Sequence, residues 1–409
     1  MAVRPEFEHY IPLHKADLIR FLLGDGKIER QEQARFLQLL QSISAIWHHE
    51  FLARLEALKK IYHPFNPDAA TVNWKGRKDP PAEAPNEDFF SAFLALTQRA
   101  NFRQLTHQDV KSAIDDGASD WGVNMEVDWS AFDRLELFAR GDKKCKRTRN
   151  HWIFWWRVTE KSVDTYGRLI VAVKLKKTRG MPPGVDTRNI YLKMFKEVPK
   201  LDLEMILPGS RVQMPWQQKW KMGGSLLGTL GYGLYRVVTE ILDGLSSLLQ
   251  LTWQAASTGL GILWGPFLLL AGYGYKQYAG YQVARQTYSK QLVESLYFQN
   301  LDNNEGVITH LLDEAEDQEF RETILAYYYL LKYAPPAGWS AEQLDDFIEM
   351  DMEGKLEMKI DFEVDDALAK LEELQLARSR EGIYQAVPIT DALRTLKARW
   401  EGYMAQLTG

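Results

Sequence analysis

Four stretches between residues 133 and 195 decide how this chain folds. They are DRLELFAR (Asp133–Arg140), HWIFWWRVT (His151–Thr159), LIVAVKL (Leu169–Leu175) and IYLKMF (Ile190–Phe195). Each is rich in Val, Ile, Phe, Trp or Tyr, the side chains that suit a pleated, half-buried surface. The connections between them are short, so an antiparallel sheet is expected from Val123 to Val198. The same region is strongly basic: residues 140–200 hold 17 Lys and Arg against 5 Asp and Glu, a net of +12. The segment Gly141–Asn150 reads as a hairpin carrying Lys143, Lys144, Lys146, Arg147 and Arg149. Such a block is either the solvated face of a sheet or a binding surface for anions, with membrane lipids as the expected partner.

Outward from the sheet, the pattern becomes helical. Phe36, Leu40, Ile43, Trp47, Leu55, Leu58 and Ile61 recur at three- and four-residue steps, predicting a helix over 31–62 that ends before Pro64 and Pro67. Residues 64–88 read as a linker, and 87–116 as helix with a capping-box pattern at Thr106 and Asp109. A second helical region, Tyr278–Tyr333, is acidic in its middle. Its His310, Asp313 and Asp317 fall at helical spacing and are the only candidates for a metal site, although a solvated acidic face is the simpler reading and no cofactor is expected.

Residues 222–275 raise the question of compartment. From Gly244 to Tyr275 no residue is charged. Spans are expected over 222–242 and 255–275, since roughly 20 apolar residues cross a hydrocarbon core. Gly224 and Gly228 on one span, and Gly261 and Gly265 on the other, would let the two helices pack closely. Lys and Arg flank the pair and are absent from its tip, which puts both termini in the cytoplasm of a bacterium, at the inner membrane. A mean hydropathy of -0.34 excludes a polytopic transporter.

The last 74 residues have the order of a winged helix: a helix from Ser340 to Met350 capped by Ser340 and Gln343, a second from Val364 to Leu376, a hairpin around Gly382, and a closing helix from Thr390 to Met404. Residues 336–409 carry a net charge of -8, and Asp365, Asp366, Glu372 and Glu373 crowd the helix before the wing. Phosphate repulsion argues against nucleic acid as a partner, and protein docking is expected instead.

Catalytic signals are sparse. No phosphate-binding loop, nucleophile elbow, dinucleotide fingerprint or zincin motif is present. His48 and His49 point about 100° apart on a helix and cannot share a metal. The lone Cys145 excludes an internal disulfide; its basic neighbours favour the thiolate, but no histidine base accompanies it.

Several stretches carry a resemblance: FEHYIP (7–12), YHPFNPD (62–68), YLKMFKEVP (191–199), DLEMILPG (202–209), SLYFQNLDNN (295–304) and LDEAEDQE (312–319). With these the chain resembles a domain-of-unknown-function family of two-pass membrane proteins related to an animal mitochondrial transmembrane protein, with bacterial and plant members. The resemblance implies a membrane protein without known catalytic residues.

The fold class expected is α+β with a two-helix transmembrane hairpin. Its parts are an N-terminal helical region (1–63), a linker (64–88), an α+β domain with the basic antiparallel sheet (89–215), the hairpin (222–275), a helical region with an acidic face (276–334) and a winged-helix-like domain (336–409). The function expected is a membrane-anchored scaffold that docks an unidentified protein, with homo-oligomers possible. The alternatives are a metal-dependent enzyme using the helix His310–Glu322, or an oligomeric channel.

Overall fold

The computed structural model describes residues 10–69, 86–112, 124–150, 158–177, 185–208, 211–213 and 297–408, with isolated positions between 235 and 286. The chain divides into two compact units. One comprises residues 1–107, 130–199 and 300–409; the other comprises 108–129 and 200–299.

In chain order the elements are α1 (Lys15–Gly24), α2 (Arg30–Tyr62), α3 (Asn86–Arg99), β1 (Arg103–Gln104), β2 (Asn124–Glu126), β3 (Phe132–Asn150), β4 (Val158–Leu175), β5 (Ile190–Pro199), α4 (Leu203–Ile206) and β6 (Arg211–Gln213). There follow β7 (Asn300–Asn303), α5 (Glu305–Lys332), β8 (Trp339–Ser340), α6 (Ala341–Leu356), α7 (Val364–Glu373), β9 (Ala377–Arg380), β10 (Ile383–Ala386) and α8 (Ile389–Thr408).

The larger unit is organised around α5. A helix that is apolar on one stripe packs on one side, whereas one buried all round lies at a centre. α5 buries Val307, Ile308, Leu311, Leu312, Phe320, Ile324 and Leu325, and also Tyr327, Tyr328 and Tyr329 in succession. Against it packs α2, whose Phe36, Leu40, Ile43, Trp47, Phe51, Leu55, Leu58 and Tyr62 form one stripe at three- and four-residue spacing. Burying each such side chain stabilises the fold by about 1.5–3 kcal/mol. Pro64 cannot continue the ladder, and α2 ends in a single 3-10 turn at His63–Phe65. α3 stops at Arg99, and Asn101 follows in the left-handed region at φ 56°, so the helix expected over 87–116 is interrupted there.

The sheet has the order β1-β3-β4-β5-β7, with every pairing antiparallel. Its rung Phe138–Ile170–Met194, with Ala172 and Leu192 beside it, joins the core shared with α2 and α5. Gly141, at φ 75°, lies against Gly167, where a Cβ would meet the Gly141 carbonyl at 3.1 Å. This glycine contact adjoins the register pair Arg140–Arg168. The basic stretch 141–150 is not a hairpin but part of the long strand β3. Lys143, Lys144, Lys146, Arg147 and Arg149 pair in register with Thr165, Asp164, Ser162, Lys161 and Thr159 of β4.

Residues 339–408 follow the order strand, helix, helix, hairpin, helix, with a small sheet β8-β10-β9. Ser340 and Gln343 form a reciprocal capping box at the start of α6. The β9–β10 turn uses Glu381 and Gly382 at φ 54° and 77°, the left-handed pair that suits a tight hairpin. In the smaller unit, β2 pairs antiparallel with β6 beside the single turn α4.

The expectation of a membrane hairpin is corrected. Among the described residues no helix is long and apolar enough to cross a membrane. The expected spans 222–242 and 255–275, with Gly224, Gly228, Gly261 and Gly265, lie outside the described residues apart from Tyr235, Gly272 and Tyr275. An uncharged stretch is a property of composition. A span needs a continuous helix of about 20 apolar residues that satisfies its own backbone. The long described helices, α2 and α5, are charged along their length. Among the described residues the fold class is therefore α+β with no transmembrane hairpin, and the two-pass membrane reading and the inner-membrane location with cytoplasmic termini are withdrawn.

Candidate functional site

Ion pairs gather where the N-terminal half of α5 meets the sheet. Arg140 leaves β3 with only 11% of its side chain exposed. Its guanidinium donates to the Glu314 carboxylate and to the Ala100 carbonyl, both at 2.8 Å, and lies over the rings of Tyr10 and Phe102. Arg168, its neighbour on β4, approaches the other Glu314 oxygen at 3.5 Å. His310, one helical turn before Glu314, approaches the same oxygen as Arg168. Its Nε2 is 3.4 Å from Glu314 Oε1, and its Nδ1 is 2.6 Å from Asp302 Oδ2 on β7.

The electrostatics follow from this geometry. Burial works against the Glu314 carboxylate, but His310, Arg140 and Arg168 outweigh it and hold its pKa below the usual range. The hydrogen bond to Glu314 raises the His310 pKa against the opposing effect of burial, and Asp302 adds to the rise. Burial lowers the Arg140 pKa, partly offset by Glu314.

A cleft of 560 Å³ opens beside this network. Residues 10–14 run along one side of it; Ile11 there donates its N–H to Gln318 and accepts from Arg321. Lys143, His14, His48 and Asp313 also line the cleft. His48 Nδ1 is 3.0 Å from Glu316 Oε2, and Asp317 pairs with Arg321 at 3.0 Å.

A second network holds α5 to the edge of the sheet. Asn304 sits at φ 50°, between β7 and α5. Its N–H donates to the Leu192 carbonyl at 2.8 Å and its Oδ1 accepts from the Leu192 N–H at 3.2 Å, so one side chain adds a rung beyond the end of β7. Asn304 Nδ2 donates to Asp68 at 2.5 Å, and the buried Tyr62 hydroxyl donates to the Ile190 carbonyl at 2.8 Å.

The sequence candidates are distributed as follows. His310 is committed to two carboxylates, Asp313 is exposed at the cleft, and Asp317 is taken by Arg321. Among the described residues no three His, Cys, Asp or Glu side chains group so as to hold a metal ion. The acidic face of 310–322 is not simply solvated: Glu319 and Glu322 are each only 2% exposed and answer to Arg99 and Lys370. Of the basic set, Lys143 reaches the cleft and Lys144 is exposed. His49 packs against the rings of Trp400 and Tyr403, and Cys145 is half-buried. Asp302, Arg140, Arg168, Tyr62 and Asn304 carry no individual signal in the sequence. Tyr62, Asp302 and Asn304 belong to the quoted stretches 62–68 and 295–304, which meet 191–199 and 312–319 here through Leu192 and Glu314. Residues 153–306 match the family described as a protein of unknown function, DUF3754.

The DUF3754 match thus begins before β4, takes in β5 and β7, and ends in the first turn of α5. It agrees with a family of unknown function and carries neither the membrane topology nor the animal relative that the resemblance implied. No solved structure matches the chain.

Proposed function

We propose that this chain is an adaptor whose acidic C-terminal region docks a basic segment of a partner protein. The observation that carries this reading is the crowding of carboxylates on α6 and α7. Asp345 is pushed up to about 6 by partial burial and by the charges of Glu349, Asp361, Asp346 and Asp365. Like charges held this close cost the native state free energy, and a cationic partner relieves the cost. Duplex DNA is disfavoured at such a surface because its phosphates add to the repulsion.

The test uses the full chain and a fluorescent peptide of alternating lysine and alanine, titrated at low and high salt. Binding should weaken with salt, and the combined change Asp345→Asn, Asp346→Asn and Glu349→Gln should remove most of it. Equal binding by that variant, or no binding by the unmodified chain, refutes the docking surface.

A further inference from the structure

The strand that closes the sheet is short. β7 contributes four residues and pairs with β5 only at Lys193–Asn303, Met194–Asp302 and Phe195–Asn300, with a register shift between the last two. So few edge rungs hold weakly on their own. Asn304 adds one, Leu301 packs against the core, and Asp302 is linked to His310. We propose that His310 is a proton-operated clasp, which ties β7 to α5 when its ring is charged and loosens that edge of the sheet when it is not.

A neutral imidazole has one N–H and one lone pair; only the charged ring has two N–H groups. Here both ring nitrogens face carboxylates, Asp302 at 2.6 Å and Glu314 at 3.4 Å. Losing the proton therefore turns a lone pair toward an anion. Glu314 is held in place by Arg140 of β3 and Arg168 of β4, so the ring is what must yield. Asp302 has no other ion-pair partner among the described residues, so the neutral ring leaves it at most one hydrogen bond in place of an ion pair, and the hold on β7 weakens. Gly306 permits the arrangement, since a Cβ there would come within 3.0 Å of Asp302 Oδ1.

The charged groups around the ring pull both ways. Asp302 of β7 and Glu314 of α5 favour the imidazolium and burial opposes it, while Arg140 and Arg168 are the other cations paired with Glu314. Lys143 of β3, Asp313 of α5 and the His48–Glu316 pair lie further round the cleft. The balance raises the His310 pKa above 6.5. A histidine raised in the folded state contributes stability that is complete below its unfolded pKa and is lost as pH climbs through the folded value. The clasp is thus shut in mild acid and opens on the alkaline side.

Hydrogen exchange on the full chain, corrected for intrinsic rates, tests this between about pH 6 and about pH 8.5. Protection of residues 300–309 should fall several-fold over that range, while Val364–Glu373 stays constant. His310→Gln should abolish the pH dependence. Asp302→Asn should lower the His310 titration midpoint read by NMR, which supplies a second test should His310→Gln fail to fold. A flat profile in the unmodified chain, a pH dependence that survives His310→Gln, or an unmoved midpoint in Asp302→Asn overturns the clasp.

Discussion

Lys370 is only 7% exposed, and replacing it with methionine should be among the most damaging single changes in the chain. Its ammonium lies 2.6 Å from Glu322 and 2.6 Å from Asp366, with Glu319 at 3.9 Å. Methionine fills much the same volume, so packing between α7 and α5 is retained and the loss is electrostatic. Removing one member of a buried pair leaves an uncompensated charge, at a cost of about 3–5 kcal/mol. Glu322 would keep its hydrogen bonds from Gln318 at 2.7 Å and Asn101 at 3.2 Å, which puts the expected loss near the lower bound, about 3 kcal/mol. Urea unfolding of the full chain reads this as a lower midpoint at unchanged slope. The double change Lys370→Met with Glu322→Gln should recover at least half of the loss, because the stranded charge is gone. A single-variant loss below about 1 kcal/mol, or no recovery in the double variant, would show that charge pairing is not what seats α7 on α5.

Glu319 gives a prediction of opposite sign. Burial raises its pKa despite Lys370 and Arg99, and its Oε2 is buried without a hydrogen bond. An acid raised in the folded state costs stability as pH rises through that value, so Glu319→Gln should gain about 1 kcal/mol near pH 8 and lose the advantage in acid; a destabilised variant at pH 8 contradicts this. Gly338→Ala should destabilise by about 2–4 kcal/mol, since Gly338 sits at φ 89° and a Cβ would lie 2.5 Å from the Tyr384 carbonyl. A thermal midpoint unchanged by that substitution would refute the clash.

Local signals were legible and distant ones were not. The Ser340–Gln343 capping box, the stripe on α2 and the Gly382 turn are each set within a few residues, and sequence spacing alone reveals them. The acidic helix misled because its partners are remote. Glu314 answers to Arg140, 174 positions away, and Glu322 to Lys370, 48 positions away, so spacing cannot tell a solvated carboxylate from a buried one. The basic stretch 141–150 misled for a different reason. Charge and glycine suggested a turn, while its strand is fixed by pairing with Val158–Tyr166. The candidate site was visible only as separate motifs, which the pairing of β7 with β5 brings together.

The position of β7 in the chain has a consequence for biosynthesis. β5 ends at Pro199 and its neighbour begins at Asn300. At about 5–20 residues per second, a ribosome takes roughly 5–20 seconds to supply the intervening stretch. The centre of the core arrives later still, since α5 runs to Lys332. Throughout that delay the outer edge of β5 has its backbone groups unpaired, and the apolar stripe of α2 lacks the helix it covers. A nascent chain of this topology is therefore most vulnerable to wrong pairing late in translation, after most of its strands exist and before the helix that organises them has emerged.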